Sequence, residues 1–486
     1  MAIRLYNTAT RKKERFEPLN TGKAGIYVCG VTVYDLCHIG HARSAIVFDV
    51  LTRYLRARGF EVTYVRNFTD VDDKIIARAN KLGRETADVA QEFIDAFYVD
   101  MNRLYVLKAD VEPRATEHIS GMIEMIDSLM DKGYAYVVDN DVYYAVESFE
   151  EYGRLSGRNL EDMQAGSRIS VDEKKRHPMD FALWKGAKEG EPQWDSPWGP
   201  GRPGWHIECS VMSNHYLGRT FDIHGGGKDL LFPHHENERA QSMAANGGGF
   251  ARYWVHNGFV TVESEKMSKS LGNFLTIRDA LKIYHPEVLR LFLLSKHYRS
   301  PLDLSKTAVL SMQSGLVRIY RTLQRLEEVI GPPTKKAEDV PASFLTEVQE
   351  SSFLSRFVDM MDDDVNTAGA IGLFFDKVRR INRLLDSGND SPDEATRRKL
   401  EDDRRQLFLS GLILGILHED PHDFFSQLAD FERDVETSEI EEMIREREAA
   451  RAAKDWAQAD KIRDRLKEMG VILEDGPKGT VWRLDV

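Results

Sequence analysis

The sequence predicts an α/β protein with a doubly wound parallel sheet in its N-terminal half, then a long helical region, then a small α+β segment. Three observations support this fold class. A strand, a helix and a second strand follow one another between residues 25 and 67. Helical periodicity dominates beyond residue 310, and the last stretch combines a charged helix with a turn-rich pair of short strands.

The strand–helix–strand unit begins with the apolar residues 25–29. Val47 and Leu51 then recur at helical spacing, Gly59 is expected to end that helix, and residues 60–64 alternate as a second strand. Consecutive strands joined by a helix pair in parallel, and ligands bind outside the carboxyl ends of such strands. We therefore expect a binding site just after the first strand.

Later elements are predicted from the same signals. An insertion occupies residues 100–200 and contains a hairpin at 133–146. Helices follow, with breaks at 331–333 and 386–392, and the tail ends in a hairpin at 470–483. We therefore expect three domains, at 1–310, 311–435 and 436–486.

Composition limits the function classes. A net charge of −13 excludes a generally basic protein that coats nucleic acids, and 42% hydrophobic residues is ordinary for a globular protein. The three cysteines are too few for a disulfide framework, and Cys37 is expected to serve packing alone. The N-terminus lacks the apolar core of a signal peptide, and no apolar run is long enough to span a bilayer. We expect a cytoplasmic protein without membrane contact.

Two short motifs carry groups that suit a nucleoside triphosphate. His38-Ile-Gly-His41 places two imidazoles where a strand gives way to a helix N-terminus, and the glycine between them lets a nucleotide approach the backbone. Lys266-Met-Ser-Lys269-Ser adds two positive charges that can stabilise a phosphate in the transition state. A P-loop is excluded, because the lysine in residues 227–229 is followed by aspartate rather than serine or threonine.

Four other residues form a candidate metal site. His234 and Glu238 are four residues apart, so both side chains are expected on one side of a helix that starts after residue 233. Cys29 ends the first strand, and Cys209 ends the segment in which the same fold resumes. Two thiolates, one imidazole and one carboxylate suit Zn²⁺. Spacing alone leaves two further histidines open as ligands, His224 and His235.

The two phosphate motifs, in this order, resemble the signature motifs of class I aminoacyl-tRNA synthetases. Five longer segments are similar to cysteinyl-tRNA synthetases, at residues 27–35, 67–74, 204–209, 222–230 and 232–238. The similarity extends over essentially the whole chain. It implies a class I Rossmann-like catalytic domain with an insertion, a helical-bundle anticodon-binding domain and a small C-terminal α+β domain that reads the anticodon.

The resemblance also implies an activity. L-cysteine and ATP–Mg²⁺ would form cysteinyl-adenylate with release of pyrophosphate, and cysteine would then pass to the 3′ end of tRNA(Cys). The enzyme would be a monomer with one Zn²⁺ per chain. Zinc prefers sulfur to a neutral hydroxyl, so it would reject serine without an editing domain, whereas an apolar pocket separates isosteres by only about 1–3 kcal/mol. The substrate thiolate would add as a further ligand, and Glu238 would loosen most readily.

The resemblance assigns roles to individual residues. The zinc ligands would be Cys29, Cys209, His234 and Glu238. The cysteine pocket would be lined by Gly30, Thr32, Thr69, Trp205 and Asp229. ATP would contact His38, Gly40, His41, Gly225, Gly226, Gly227 and Lys269. Catalysis would depend on His38, His41, Lys266 and Lys269.

Some alternatives stay open. A shorter relative of this fold transfers cysteine to an amino-sugar acceptor, and the tail beyond residue 436 argues against it here. An inactive relative that only binds RNA is disfavoured, because both motifs and all four metal residues are intact. Asp72 and Asp73 suit either a Mg²⁺ pair or a helix N-terminus, and we favour the helix. Trp456 and Trp482 are candidate platforms for RNA bases or core residues of the small tail.

Overall fold

A computed structural model describes residues 2–158, 175–262, 265–266, 275–333, 340–387, 392–468, 471–476 and 479–484. The chain divides into two compact units. The first unit is formed by Met1–Ile277 and Pro286–His418, and the second unit by Arg278–His285 and Glu419–Val486.

The described strands are β1 (Arg4–Asn7), β2 (Lys12–Arg15), β3 (Lys23–Thr32), β4 (Glu61–Thr69), β5 (Ala135–Val138), β6 (Asp141–Tyr144), β7 (Phe181–Gly186), β8 (Gly201–Pro203), β9 (Phe221–Gly227), β10 (Ala251–Asn257), β11 (Val260–Val262), β12 (Glu265–Lys266), β13 (Leu302–Leu304), β14 (Val471–Gly476) and β15 (Gly479–Leu484). The described α-helices are α1 (Ile39–Ala57), α2 (Asp73–Leu82), α3 (Thr86–Arg103), α4 (Ile119–Asp131), α5 (Ile207–Leu217), α6 (Glu236–Asn246), α7 (Ile277–Ile283), α8 (Pro286–Leu294), α9 (Lys306–Ile330), α10 (Phe344–Glu350), α11 (Ser352–Asp362), α12 (Thr367–Ser387), α13 (Glu394–Leu414), α14 (Pro421–Ala452) and α15 (Trp456–Glu468).

A parallel sheet of four strands lies at the centre of the first unit, in the order β10-β9-β3-β4. Helix α1 connects β3 to β4 and buries Ile46, Phe48 and Leu51. It ends at Ala57, and Gly59 follows with φ of +87°, a conformation that glycine adopts without steric penalty. The strand–helix–strand unit and the parallel sheet predicted from the sequence are confirmed.

The predicted hairpin at 133–146 is also present. Strands β5 and β6 pair antiparallel and extend through β7 and β8 into a second four-stranded sheet. Lys185 and Arg202 of that sheet form ion pairs with Asp73 in the first turn of α2. Asp72 caps the same helix by accepting a hydrogen bond from the Lys74 amide at 2.9 Å. The interpretation of both aspartates as helix N-terminal charges is confirmed.

Helices α9 to α13 form the helical region of the first unit. Helix α9 ends before Gly331, and α12 and α13 are separate helices, with Asp393 capping α13. The helix breaks predicted near 331 and 386 are therefore confirmed. Within the part of the chain that is described, no helix is long and apolar enough to cross a membrane.

The second unit contains α14, α15 and the antiparallel hairpin β14–β15, as the tail sequence predicts. Its core is aliphatic and consists of Ile440, Ile444, Ile462, Leu466 and Val471. Trp456 is 60% exposed, whereas the side chain of Trp482 lies outside the described part. The domain boundaries expected at 310/311 and 435/436 fall inside α9 and α14, and they stay predictions.

Candidate functional site

The site begins where β3 and β4 lie closest to each other. A Cβ at Gly30 would be 1.6 Å from the carbonyl oxygen of Asn67, so only glycine fits at this position. The amide of Gly30 donates to the Asn67 side-chain oxygen at 2.9 Å. This close pairing holds the backbone next to Cys29 in place at the carboxyl end of the sheet.

The four predicted metal residues meet there. Cys29 lies on β3, Cys209 in the first turn of α5, His234 in the wide turn Leu231–His235, and Glu238 in α6. One ligand atom from each lies within 4.8 Å of the others. The Cys29 sulfur is 3.2 Å from Glu238 Oε1 and 3.7 Å from the Cys209 sulfur, and His234 Nε2 is 3.0 Å from Glu238 Oε1.

The structure also shows where the α6 prediction is inexact. His234 and Glu238 share one face, as expected, but the regular helix starts at Glu236 rather than directly after Pro233. The preceding turn is wider than an α-helical turn, because Phe232 has extended backbone angles. The wide turn places His234 Nε2 3.0 Å and His235 Nε2 4.0 Å from Glu238 Oε1.

The ionisable side chains of this group shift one another's pKa values. Burial opposes ionisation of Glu238, yet the adjacent His224 and His234 hold the pKa of that carboxyl well below its usual range. Burial likewise raises the pKa of the Cys29 thiol. For Cys209, hydrogen bonds from Cys29 and His234 outweigh burial and lower the thiol pKa to about 6. A buried carboxylate with a thiolate next to an imidazole is the arrangement that a cation stabilises.

Further histidines surround the ligands, and sequence reasoning assigned none of them a supporting role. His224 Nε2 lies 2.8 Å from Glu238 Oε2, and His206 Nδ1 lies 2.9 Å from His234 Nδ1. His235 Nδ1 is 2.8 Å from His256 Nε2. Several histidines within residues 206–256 were the only signal in the sequence, because their contacts depend on strands and helices that are far apart in the chain.

The donor set fits a metal ion. A second group of close ligand atoms, Cys29, His224, His235 and Glu238, overlaps the predicted one. Among the described residues, its two histidines keep one buried nitrogen each without a hydrogen-bond partner, His224 Nδ1 and His235 Nε2. The predicted group contains both thiols, and thiolate with imidazole is the donor chemistry of zinc sites. The structure thus contains a buried cysteine–histidine–glutamate group that suits metal binding.

A partly open surface adjoins this group. The ring of Trp205 packs against His234 with centroids 4.3 Å apart, and Trp205 remains 37% exposed. Thr69 donates to the buried carboxylate of Glu208 at 2.9 Å. Thr32 is the residue paired with Thr69 across β3 and β4. Of the predicted pocket residues, Gly30, Thr32 and Thr69 lie near the carboxyl ends of β3 and β4, and Trp205 packs against His234 of the metal group.

The two histidines of the phosphate motif form a local unit at the start of α1. His38 Nδ1 accepts from the Gly40 amide at 3.0 Å, and His41 Nδ1 accepts from the His38 amide at 3.2 Å. Their rings stack with centroids 3.8 Å apart. Because each Nδ1 accepts a hydrogen bond, the proton of each neutral ring resides on Nε2. Burial, with His38 and Lys74 nearby, lowers the pKa of His41 well below its usual value.

The remaining predicted contacts lie on β9 and β12. Gly225, Gly226 and Gly227 end β9, and a Cβ at Gly226 would be 2.8 Å from the His235 ring. Asp229 is exposed in the turn that follows. Lys266 is the last residue of β12, but its side chain lies outside the described part, and Lys269 lies outside the described residues.

Family models match three parts of the chain. Residues 15–314 match the model described as "tRNA synthetases class I (C) catalytic domain". Residues 356–418 match a DALR domain, and residues 434–483 match the "Cysteinyl-tRNA ligase anticodon binding domain". The three matched regions correspond to the α/β part of the first unit, to the helical region of that unit and to the C-terminal tail.

Relatives and solved structures agree with these matches. A cysteine–tRNA ligase of Pelobacter propionicus is 55% identical over 494 residues, with 100% of both chains covered. One from Trichlorobacter lovleyi is 54% identical over 488 residues, again with 100% of both chains covered. Among solved structures, a Mycobacterium tuberculosis methionyl-tRNA synthetase bound to methionyl-adenylate has a TM-score of 0.60 at 17% identity, covering 83% of this chain and 93% of that one, which supports the fold. The chain belongs to the cysteine–tRNA ligase family of class I aminoacyl-tRNA synthetases.

Proposed function

We propose that this chain activates L-cysteine with ATP and transfers it to tRNA(Cys). The observation that carries the proposal is the buried group of Cys29, Cys209, His234 and Glu238 with Trp205 against it. This group lies at the carboxyl edge of a parallel sheet, where α/β proteins bind their ligands. The nucleotide motif at His38 follows the same strand, so an amino acid and ATP bound at these places would be neighbours.

The same four residues are proposed to hold one Zn²⁺ per chain. When bound there, zinc supplies a Lewis acid that favours a thiolate over a hydroxyl and so distinguishes cysteine from serine. His224 and His206 contact Glu238 and His234 from outside the group, and they orient both ligands. The nearly complete burial of this group excludes water from the side-chain end of the pocket.

Residues around the group would hold the rest of the amino acid. The face of Trp205 offers a flat apolar wall that is still accessible, and Gly30 lets β3 lie close to the Asn67 carbonyl of β4 beside Cys29. Thr32 and Thr69 line the adjacent strand ends, and Asp229 provides a carboxylate that can accept hydrogen bonds from an ammonium group.

Activation needs positive groups and N–H donors around the triphosphate. Nε2–H of His38 and His41 would donate to phosphate oxygens, and the α1 N-terminus adds a partial positive charge. The glycines at 40 and 225–227 would let the nucleotide approach the backbone. The cysteine carboxylate then attacks the α-phosphorus of Mg²⁺-bound ATP, and pyrophosphate leaves. Lys266 and Lys269 are proposed to stabilise the negative charge of this transition state.

Transfer completes the reaction. A ribose hydroxyl at the 3′ end of tRNA(Cys) attacks the carbonyl carbon of the adenylate, and AMP leaves with the bridging oxygen. The helical region and the second unit are proposed to bind the anticodon arm, where exposed Trp456 would stack on a base. A monomer in the cytoplasm is part of the same proposal.

The proposal is tested by charging bulk tRNA with labelled cysteine, with labelled serine in parallel. Cysteine and not serine should become acid-precipitable, because only the thiol matches the metal group. Cysteine-dependent ATP–pyrophosphate exchange without tRNA charging would contradict the tRNA acceptor and favour another acceptor for the adenylate. Equal charging with serine would contradict selection by the metal group.

A further inference from the structure

Arg43 is a fully buried arginine of α1, two residues after His41 and directly after the first turn of the helix. Its guanidinium donates to five backbone carbonyls that belong to two separate segments. Nη1 contacts the oxygens of Gly258 at 3.1 Å and Phe259 at 2.7 Å. Nη2 contacts those of His297 at 3.4 Å, Tyr298 at 3.3 Å and Ser300 at 2.6 Å.

The two segments lead into the strands β11 and β13. The Gly258 amide donates to Tyr298 O at 2.8 Å, and the Leu302 amide donates to Phe259 O at 3.0 Å. Beyond these bonds β11 and β13 pair in parallel, and β12 with Lys266 pairs with β11. Arg43 therefore joins the helix turn that carries His41 to the base of the strands that carry Lys266.

A second buried arginine of the same unit offers a comparison. Arg290 is equally inaccessible and donates to the carbonyls of Leu414, Leu104 and Tyr105, but it also forms an ion pair with Asp49. In the described part of the chain, the hydrogen-bond acceptors of Arg43 are all carbonyls. Burial lowers the pKa of Arg43 to about 10, so the side chain stays charged at neutral pH.

The chemistry of arginine suits this task. A guanidinium has five N–H donors in one plane and can bridge two backbone segments, whereas the ammonium of lysine directs its three donors from one atom. Burying a positive charge against carbonyl dipoles, without a counter-ion, costs free energy. We therefore infer that Arg43 is retained for the backbone geometry that its hydrogen bonds hold in place. That geometry is the separation between the α1 turn and the base of β11 and β13.

We propose that Arg43 is a positioning residue for adenylate formation, which sets the first turn of α1, with His38 and His41, against the base of β11 and β13. The inference rests on the proposed function, because it concerns the same reaction. Arg43 is not a member of the metal group, and it acts through the backbone carbonyls to which it donates. A turn displaced by one ångström would weaken phosphate contacts in the transition state while the proposed cysteine pocket at Gly30, Thr69 and Trp205 stays intact.

The test compares Arg43→Lys with Arg290→Lys in the full-length protein. Both changes remove hydrogen bonds from a buried arginine, so both should lower the melting temperature. The kcat for ATP–pyrophosphate exchange is expressed per active site, counted from the burst of adenylate formation. Arg43→Lys should lower this kcat about 100-fold with an unchanged cysteine KM, whereas Arg290→Lys should stay within about 2-fold of wild type.

A second variant tests the same contact between the two segments and leaves Arg43 unchanged. A Cβ at Gly258 would be 2.6 Å from Ser300 O and 2.7 Å from Arg299 O, so Gly258→Ala should separate the two segments. Gly258→Ala should show the same loss of kcat and an unchanged cysteine KM. If Arg43→Lys does not fold, Gly258→Ala tests the inference by itself. Wild-type kcat per active site in Gly258→Ala, or equal losses in both arginine variants, would overturn the inference. Exchange absent from the wild type would instead refute the proposed function.

Discussion

The metal group and the paired histidines of α1 are built in opposite ways. Cys29, Cys209, His234 and Glu238 come from four separate elements and meet only in the folded sheet. His38 and His41 belong to one turn and cap each other through the backbone amides of that turn. Tertiary packing therefore assembles the metal group. The histidine pair is a local structure, and only its position in the molecule depends on the rest of the fold.

This difference separates the two tasks of the enzyme. Under the proposed function, changes at the metal group should affect which amino acid binds, because that group would contact the side chain of the substrate. Changes at the α1 turn should affect the rate of activation, because its donors would stabilise charge that grows in the transition state. Each of the following predictions tests whether the two regions are independent in this sense.

The largest effect is expected for Cys209→Ser. Loss of a residue that only orients a metal ligand typically lowers metal affinity or activity about 10–100-fold. Loss of a thiolate ligand itself should therefore raise the cysteine KM by at least about 100-fold. The ATP KM should change little, since the α1 turn is untouched. Steady-state exchange kinetics with each substrate varied in turn measure both constants.

The matched control for that variant is Cys37→Ser. Cys37 is also buried, but it precedes the α1 turn and is not a member of the metal group. Its cysteine KM should equal that of the wild type. Parallel increases in both KM values for Cys209→Ser would mean that the metal group is purely structural.

The next effect in size is expected for His41→Asn. An asparagine oxygen can replace Nδ1 as acceptor for the His38 amide, so the turn should persist while the Nε2–H donor is lost. Removal of one such donor typically lowers kcat about 100-fold, and the cysteine KM should stay constant. A rise of the cysteine KM as large as that in Cys209→Ser would show that the two regions are coupled.

Acid should lower the free energy of unfolding through His256, a buried histidine that contacts His235 next to the metal group. Burial, with His224 and Lys228 nearby, lowers the pKa of His256 to about 3. An unfolded histidine takes up its proton near pH 6.5, so below that pH the unfolded state binds more protons and stability falls. Between pH 6.5 and about pH 5 the loss should be about 2 kcal/mol from this residue.

Urea titrations at several pH values measure that slope. His256→Gln keeps a polar group but cannot titrate, so its free energy of unfolding should vary less with pH than that of the wild type. Identical slopes in the two proteins would contradict a neutral, buried His256. The comparison is made between variants, so titration of other groups cancels.

The smallest effect is expected at His224. Its Nε2 bonds Glu238 at 2.8 Å, and glutamine can present a donor at that position whereas asparagine is too short. His224→Asn should weaken zinc retention about 10-fold, the lower end for a contact outside the ligand set, because His234 still orients Glu238. Competition with a chromogenic chelator measures retention, and His224→Gln is the control. Equal retention by the two variants would contradict an orienting role.

The local features of the fold were predictable from the sequence. The strand–helix–strand unit, the hairpins β5–β6 and β14–β15, and the helix breaks each depend on neighbouring residues, such as the glycine at 59 that follows α1. The regular helix α6 starts at Glu236, later than the sequence predicts, because Phe232 is extended and the turn Leu231–His235 precedes the helix. Residues Lys266 and Lys269 were recognised as a motif, but their side chains are outside the described part.

By itself the sequence determined which groups are available: three thiols, a histidine four residues before a glutamate, two histidines at a helix start, and two lysines three residues apart. Tertiary structure alone decided which of them meet. It placed Cys29 and Cys209 beside Glu238, surrounded that carboxylate with His224 and His234, and turned Arg43 toward five carbonyls. The physical reason is distance: periodicity reports which face a residue occupies, but only the order and spacing of packed strands set which faces touch.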